Sequence, residues 1–380
     1  MDRPLNAAAA PYGQRIFRAE HVGSFLRPEG LVEARRKHQE GTLSDEELRA
    51  VEDAAIRDVV KRQEEIGIHA VTDGDYRRQS FHIDFLTAMK GIEWKPAHFQ
   101  QSFKGGPSEG HSPAVFAVTD HVEHEHDIAV DDFKFLKGVT SQTGKVTLPA
   151  PSFAHCRGGR DAIDRKAYPE LGPFFDDLAA AYRKEIGALA DAGCRYVQLD
   201  EVHYTFLCDP ALVAGFRARG DDPDALGRIY AKLINDSVAG KPDDMRIGVH
   251  LCRGNQRSSW VAQGGYEPVA ELLFNTVDAD AFFLEYDSER AGGFEPLRFV
   301  PKGKTVVLGI VTSKSGELES PDLLKRRIDE AARYVPLDQL ALSPQCGFAS
   351  SVPGNKISQD DQWKKMQLVA DVARDVWGTT

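Results

Sequence analysis

Apolar positions along the chain fall into two kinds of run that alternate. Short stretches rich in β-branched residues occur at Ile16 to Val22, His69 to Thr72, Lys145 to Leu148 and Tyr196 to Leu199. They recur at Arg246 to Leu251, Ala281 to Glu285, Thr305 to Ile310 and Leu340 to Ser343. Between them lie longer segments with apolar residues at helical spacing: Ser44 to Ile66, Pro173 to Ala192, Pro223 to Val238, Pro321 to Tyr334 and Gln359 to Val376. Strand-like and helix-like periodicities in strict alternation predict parallel βα units, and eight strands predict an α/β fold of the (β/α)8 TIM type. Punctuation agrees with the periodicity. Ser44-Asp45-Glu46-Glu47 has the spacing of a capping box, several helices start at or near a proline, and Gly67 and Gly193 follow helices where a left-handed cap is expected.

One interval breaks the rhythm. From Gly91 to Gly144 the chain is rich in His, Lys, Gly and Asp and is too long for a βα loop, so it reads as an insertion after the second strand, with a hairpin of its own. Its H-V-E-H-E-H run (His121, His124, His126) reads as a solvated polar face, because no thiol or framing turn accompanies it. Residues 1–15, rich in Ala and Pro, read as a flexible lead-in, and 16–380 as a single domain. No self-similar period of a solenoid is visible.

Composition narrows the partners. A net charge of -11, from 58 acidic and 47 basic residues with no basic stripe, argues against nucleic acid. No apolar run reaches the ~18 residues of a membrane span, and the start lacks a signal peptide's pattern, so the expected location is cytoplasmic. Oligomeric state is not readable from sequence. Five cysteines, an odd number in such a chain, do not make a disulfide framework. Cys156, Cys194 and Cys208 read as buried filler. Cys252 and Cys346 stand in different company.

Active sites of parallel barrels gather at the C-terminal ends of the strands. Those ends carry His21-Val22-Gly23-Ser24, Asp73-Gly74-Asp75, Asp200-Glu201, His250-Leu251-Cys252, Glu285 and Cys346. His250 and Cys252 are two apart and share a face of an extended strand. With Cys346 they offer one nitrogen and two sulfurs, a set that suits Zn2+ with a replaceable fourth position. Two thiolates offset the charge of the metal and make it a poor water activator, which counts against a zinc hydrolase. They suit activation of a substrate thiol. Glu285 reads either as a displaceable fourth ligand or as a carboxylate bonded to loop amides.

These motifs resemble the catalytic domain of cobalamin-independent methionine synthase, and more closely its short single-domain relatives, which include the epoxyalkane:coenzyme M transferases. The resemblance spans H-V-G-S at 21–24, D-G-D-Y-R-R at 73–78, Q-L-D-E at 198–201, H-L-C-R-G-N at 250–255, D-A-D-A-F-F-L-E at 278–285 and S-P-Q-C-G-F at 343–348. It implies zinc held by His250, Cys252, Glu285 and Cys346. It further implies a homocysteine site formed by Gly23, Ser24, Asp75 and Asp200, with His21 and Glu201 in the same motifs. Where the family commonly has Glu, this chain has the shorter Asp75.

Two departures concern the alkyl donor. The synthase's Asp-x-His-Ser after the seventh strand is replaced by Val311-Thr312-Ser313-Lys314-Ser315, and its pterin-stacking Trp after the third strand by Pro149-Ala150-Pro151-Ser152-Phe153. The thiol side is retained and the folate side is not. The resemblance therefore implies a transferase moving an alkyl group, foremost methyl, from a small-molecule donor to homocysteine or a similar thiol. Lys314 or His203 is the candidate acid for the leaving group. The alternative is attack of a zinc-bound coenzyme M thiolate on an epoxide. Coenzyme M carries a sulfonate that calls for cations, and Arg77, Arg78 and Arg253 keep that option open, while Asp75 and Asp200 favour an amino-acid thiol.

Overall fold

Six of the β-branched runs, from Lys145 to Leu148 onward, become strands of one parallel sheet because both of their faces are covered, so nearly every residue in them is apolar and buried. The computed structural model describes residues 16–95, 102–111, 113 and 115–380; the lead-in 1–15 lies outside them. In chain order the strands are β1 (Ala70–Val71), β2 (Lys90–Lys95), β3 (Val115–Glu123), β4 (Thr143–Gly144), β5 (Val146–Pro149), β6 (Tyr196–Glu201), β7 (Arg246–Leu251), β8 (Ala281–Glu285), β9 (Thr305–Val311) and β10 (Leu340–Pro344). Strands β5 to β10 pair in sequential, parallel order, and β1 pairs with β4, which leads into β5. With helices between successive strands, this is the (β/α)8 TIM-type barrel, running from β1 through β4/β5 to β10 and on to the first segment of the chain.

That first segment differs from expectation. Ile16 to Val22 is not a full strand: Ala19 alone bridges Leu342, flanked by Glu20 N to Leu342 O (2.8 Å) and Leu342 N to Arg18 O (2.9 Å). Among the described residues no ladder joins it to β1. The gap is closed by His21 Nε2 at 2.9 Å from Ala70 O, by the Thr72 hydroxyl donating to Gly23 O (2.6 Å) and by Phe25 N donating to Gly74 O (3.1 Å). Inside the barrel, Lys145 Nζ donates to Glu20 Oε2 (2.9 Å) and Tyr196 OH to Glu20 Oε1 (2.7 Å), all three side chains buried. A small apolar cluster that includes Phe17, Tyr196, Phe283 and Val307 lies beside them.

The helices start and stop as their caps direct. Asp45–Ile66 opens on a capping box in which Ser44 accepts from Glu47 N and the Glu47 carboxylate accepts from Ser44 N, and it ends at Gly67 with φ 94°. Gln359–Trp377 has the same device at Ser358 and Asp361. The insertion holds the antiparallel pair β2–β3, but its second part is the helix Val130–Val139, whose buried Val130, Phe133 and Leu136 are separated by charged residues that blur the apolar spacing. His121 and His126 are exposed, whereas His124 Nε2 lies 2.6 Å from the buried Glu185 carboxylate. That carboxylate also accepts from Ile128 N and Ala129 N, so its bonding is spent on joining the insertion to the helix Leu171–Asp191. No helix among the described residues is long and apolar enough to cross a membrane.

Candidate metal centre

Four side chains converge at the C-terminal ends of β7, β8 and β10. His250 lies on β7, Cys252 just past its end, Glu285 on the last residue of β8, and Cys346 two residues beyond β10. One ligand atom from each lies within 4.8 Å of the others, and all four residues are buried. Cys252 Sγ and Cys346 Sγ are 3.7 Å apart and unbridged. Barrel register brings them together: His250 sits beside Asp200 of β6 and Phe283 of β8. The backbone around Cys252 is fixed by its own N–H on Glu201 O (2.7 Å) and by the Thr205 hydroxyl on its carbonyl (2.6 Å).

The cluster fits a metal ion by what it leaves unmade. Glu285 Oε1 accepts from Arg253 N (2.8 Å), but Oε2 has no hydrogen-bond partner, and neither ring nitrogen of His250 has one. Buried polar atoms left in this state are costly, on the order of 1–3 kcal/mol each. Imidazole, two sulfurs and a carboxylate oxygen are donor types that zinc accepts. The electrostatics agree. The neighbouring Cys252 thiol and the His250 imidazole hold Cys346 well below the ordinary thiol range. Cys252 is pushed up by Cys346 and by burial. Burial pulls His250 down, but the Cys346 sulfur holds it at about 8; burial, then Cys346, lifts Glu285 to about 7. The buried cluster is short of positive charge.

The other sequence-predicted residues separate into those near this cluster and those facing elsewhere. Asp200 is buried beside it and raised to about 7 by burial, against the opposing pull of His250; its Oδ1 accepts from Gln198 Nε2 (2.7 Å). Asp75 is buried with φ 59°, accepts from the Thr147 hydroxyl (3.0 Å) and pairs with Arg78 at 3.4 Å. Gly23 has φ 128° and packs against Thr147, where a Cβ would meet Cγ2 at 2.5 Å. Ser24 is laced to the Cys346 loop through Ala349 N to Ser24 Oγ (3.3 Å) and Phe348 N to Ser24 O (3.0 Å). Lys314 Nζ donates to Asn255 Oδ1 (3.0 Å). Its charge lowers the pKa values of Cys252, Cys346 and Glu285.

His21 and Glu201 face structural partners. The His21 ring meets Ala70 O, and Glu201 accepts from the Ser152 hydroxyl (2.5 Å) and His203 N. The His203 ring is fully buried against Tyr230 (ring centroids 4.2 Å) and Phe216 (5.4 Å), because the short turn His203–Phe206 carries it behind β6. Arg77 is taken up by Glu52, Asp53 and Asp132, and Arg253 lies over the Tyr266 ring at 4.6 Å.

Above Cys252 opens a cavity of about 680 Å3, lined by Val202, Cys252, Asn255, His82, Arg157 and, from the insertion, Trp94 and Phe103. His82 and Arg157 were not marked by the sequence reading. Both sit in loops, where no periodicity signals which side chain turns inward. A separate cleft of about 500 Å3 lies between β3 and the helix Pro210–Ala218; it also borders Arg157 but contains none of the four cluster residues.

A (β/α)8 barrel with buried imidazole, thiol and carboxylate groups gathered at its mouth defines a class of barrel proteins equipped to hold a metal ion where substrates enter. Within that class the chain belongs to the family described as "Cobalamin-independent synthase, Catalytic domain", whose profile matches residues 17–373. It is 46% identical over 364 residues to the uncharacterized protein YxjH of Bacillus subtilis (strain 168), covering 95% of each chain. Among solved structures it is similar to a Listeria monocytogenes protein described as the "Putative Vitamin-B12 Independent Methionine Synthase". The TM-score is 0.76 and the identity 37%, with 95% of this chain and 98% of that one covered. A B12-independent methionine synthase from Shewanella sp. W3-18-1, in complex with selenomethionine, shares the fold with a TM-score of 0.73 at 20% identity, covering 95% of this chain and 98% of that one.

Proposed function

We propose that the protein is a zinc-dependent thiol alkyltransferase that moves an alkyl group, foremost methyl, to homocysteine or a similar amino-acid thiol. The observation that carries the reading is the buried cluster of His250, Cys252, Glu285 and Cys346, with unsatisfied Glu285 Oε2 and His250 nitrogens. Zn2+ held by these residues would strip the proton from a ligated substrate thiol and leave a nucleophilic thiolate at neutral pH.

The chain's own residues do the rest. Asp200, beside His250, receives the amino group of the thiol substrate, with Asp75 behind it. Gly23 and Ser24, tied to the Cys346 loop, are the turn that faces its carboxylate. Sulfur and alkyl carbon must come within about 3–3.5 Å in line with the bond that breaks. Lys314, held at the rim through Asn255, supplies the proton to the departing group; His203, enclosed by aromatic rings, is not given that role.

A second reading rests on Arg78. Paired with Asp75, it is the kind of cation an anionic thiol such as coenzyme M would call for, with an epoxide as electrophile. Zinc-edge X-ray absorption with each thiol added separately tests both. A new Zn–S contact with homocysteine alone supports the leading reading, and one with coenzyme M alone supports the second. No new sulfur contact with either thiol overturns thiol activation.

A further inference from the structure

Glu285 is gripped at one carboxylate oxygen and loose at the other. Its main chain is fixed, because its N–H donates to Tyr266 OH (3.0 Å) and β8 pairs it with Gly309 of β9. Oε1 accepts from Arg253 N at 2.8 Å, whereas Oε2 has no hydrogen-bond partner among the described residues. Arg290 Nη2 stands 4.0 Å from Oε2. Arg290 lies in the short turn Glu289–Ala291 that follows β8, with a side chain only 13% exposed. Its guanidinium lies over the Trp260 ring at 4.8 Å, and its carbonyl accepts from Gly264 N at 2.9 Å. The same Nη2 donates to Asp287 Oδ1 at 3.3 Å, long for a charged pair, which closes to about 2.7–2.9 Å when fully made. The guanidinium therefore stands between two carboxylates and is closed on neither.

We propose that Arg290 receives the Glu285 carboxylate when a substrate thiol takes its place at the metal, and so is a positioning residue that sets how readily the site exchanges ligand. The inference rests on the thiol alkyl transfer proposed above. In that exchange the thiol sulfur takes the position of Oε2, the thiol proton leaves to solvent, and Glu285 departs with its electron pair and its charge. Glu285 is fully buried, so the released carboxylate has no water to turn to, and a buried charge left unpaired is strongly unfavourable. Oε1 stays on Arg253 N as a pivot, and closing the 4.0 Å gap to a charge-assisted bond takes about 1 Å of travel. Lys314 also acts on this carboxylate, but its ammonium is bonded to Asn255 Oδ1 at 3.0 Å. Asp287 sets the balance: it competes with Glu285 for the same guanidinium, so removing its charge favours the released state.

Zinc-edge absorption of the zinc-loaded protein, with homocysteine and coenzyme M added separately, reads the exchange, and calorimetric titration of the same thiols reads its strength. On the wild type, the ligating thiol is expected to add one sulfur at zinc and remove one oxygen. A sulfur gained with no oxygen lost overturns this proposal and leaves the transferase reading standing; no sulfur gained with either thiol sinks both. Arg290→Gln is expected to keep its zinc and to bind the thiol about tenfold more weakly or worse, the loss of one charge-assisted hydrogen bond. Arg290→Lys should recover most of that loss. Asp287→Asn, which leaves Arg290 to Glu285 alone, should bind the thiol several-fold more tightly. A merely structural role would instead weaken zinc and thiol binding together in both variants. Thiol binding unchanged in Arg290→Gln, or not tightened in Asp287→Asn, overturns the proposal, and the Asp287 variant decides it if Arg290→Gln does not fold.

Discussion

Cys252 Sγ and Cys346 Sγ face each other at 3.7 Å across the barrel mouth, unbridged and close enough to bind one metal ion together. The pair comes from loops 94 residues apart in the chain, so a metal joining them would tie the end of β7 to the end of β10. Cys346→Ala is expected to lose zinc on dialysis against a chelator that leaves the wild type loaded. The metal should also raise wild-type stability by about 2.7 kcal/mol at free zinc one hundredfold above its dissociation constant. Metal analysis with thermal unfolding checks both. Unchanged zinc content in Cys346→Ala would refute the site.

Lys314 reaches Asn255 Oδ1 and acts electrostatically on both sulfurs and on Glu285 without ligating. If it hands a proton to the leaving group, Lys314→Met should lower kcat by roughly 10²–10⁴-fold, the range for loss of a general acid. Thiol ligation seen at the zinc edge should survive. A variant that loses thiol ligation to the same degree as turnover would make Lys314 a residue of the thiol site instead.

His250, Cys252 and Cys346 were legible in the sequence from strand geometry, whereas Glu285 as the fourth member came with the family resemblance. Period two puts His250 and Cys252 on one face, and barrel topology brings the ends of β8 and β10 to the same mouth. What escaped was what depends on side chains meeting across the fold. The first strand is only a bridge at Ala19, and the side-chain bonds of Glu20 and His21 to Lys145, Tyr196 and Ala70 that fix this segment have no periodicity to read. His203 stands two residues after Glu201 yet turns away, since the chain coils immediately after β6. Arg157 and His82 meet only because their loops cross above Cys252.

Glu201 gives a pH dependence whose sign is fixed. Burial raises its carboxyl from the ordinary 4.5 to about 7, with the bonds from Ser152, His203 and Val202 opposing. Between those values the native state holds more protons than the unfolded chain, so stability is fully present below about 4.5 and is lost as pH rises to about 7. At about 1.4 kcal/mol per pH unit the loss is roughly 3 kcal/mol. Glu201→Gln should unfold with a correspondingly flatter dependence on pH across that window, measured by urea denaturation of both proteins. Parallel curves for the two would show that Glu201 stays ionised throughout.

Lys145 and Glu20 pair at 2.9 Å inside the barrel, both buried, and Lys145 Nζ also lies 5.3 Å and 5.0 Å from the Tyr196 and Phe283 ring centroids. Desolvation lowers the ammonium's pKa and the Glu20 charge opposes it, so the ion pair holds only while both partners are present. Lys145→Met leaves Glu20 buried with Tyr196 OH as its remaining side-chain donor among the described residues, which should cost about 3–5 kcal/mol. Removing both charges in Lys145→Met with Glu20→Leu should recover most of that, because a buried pair replaced by apolar groups of similar volume is often neutral or better. The same pair links the first segment to the residue between β4 and β5, bridging over β1, with which the first segment has no backbone ladder among the described residues. The single variant should therefore also speed amide exchange at Glu20, whose N–H is bonded to Leu342 O, ahead of exchange in β7 and β8. Equal protection across the barrel in Lys145→Met would mean that closure there rests on His21, Thr72 and Phe25 alone.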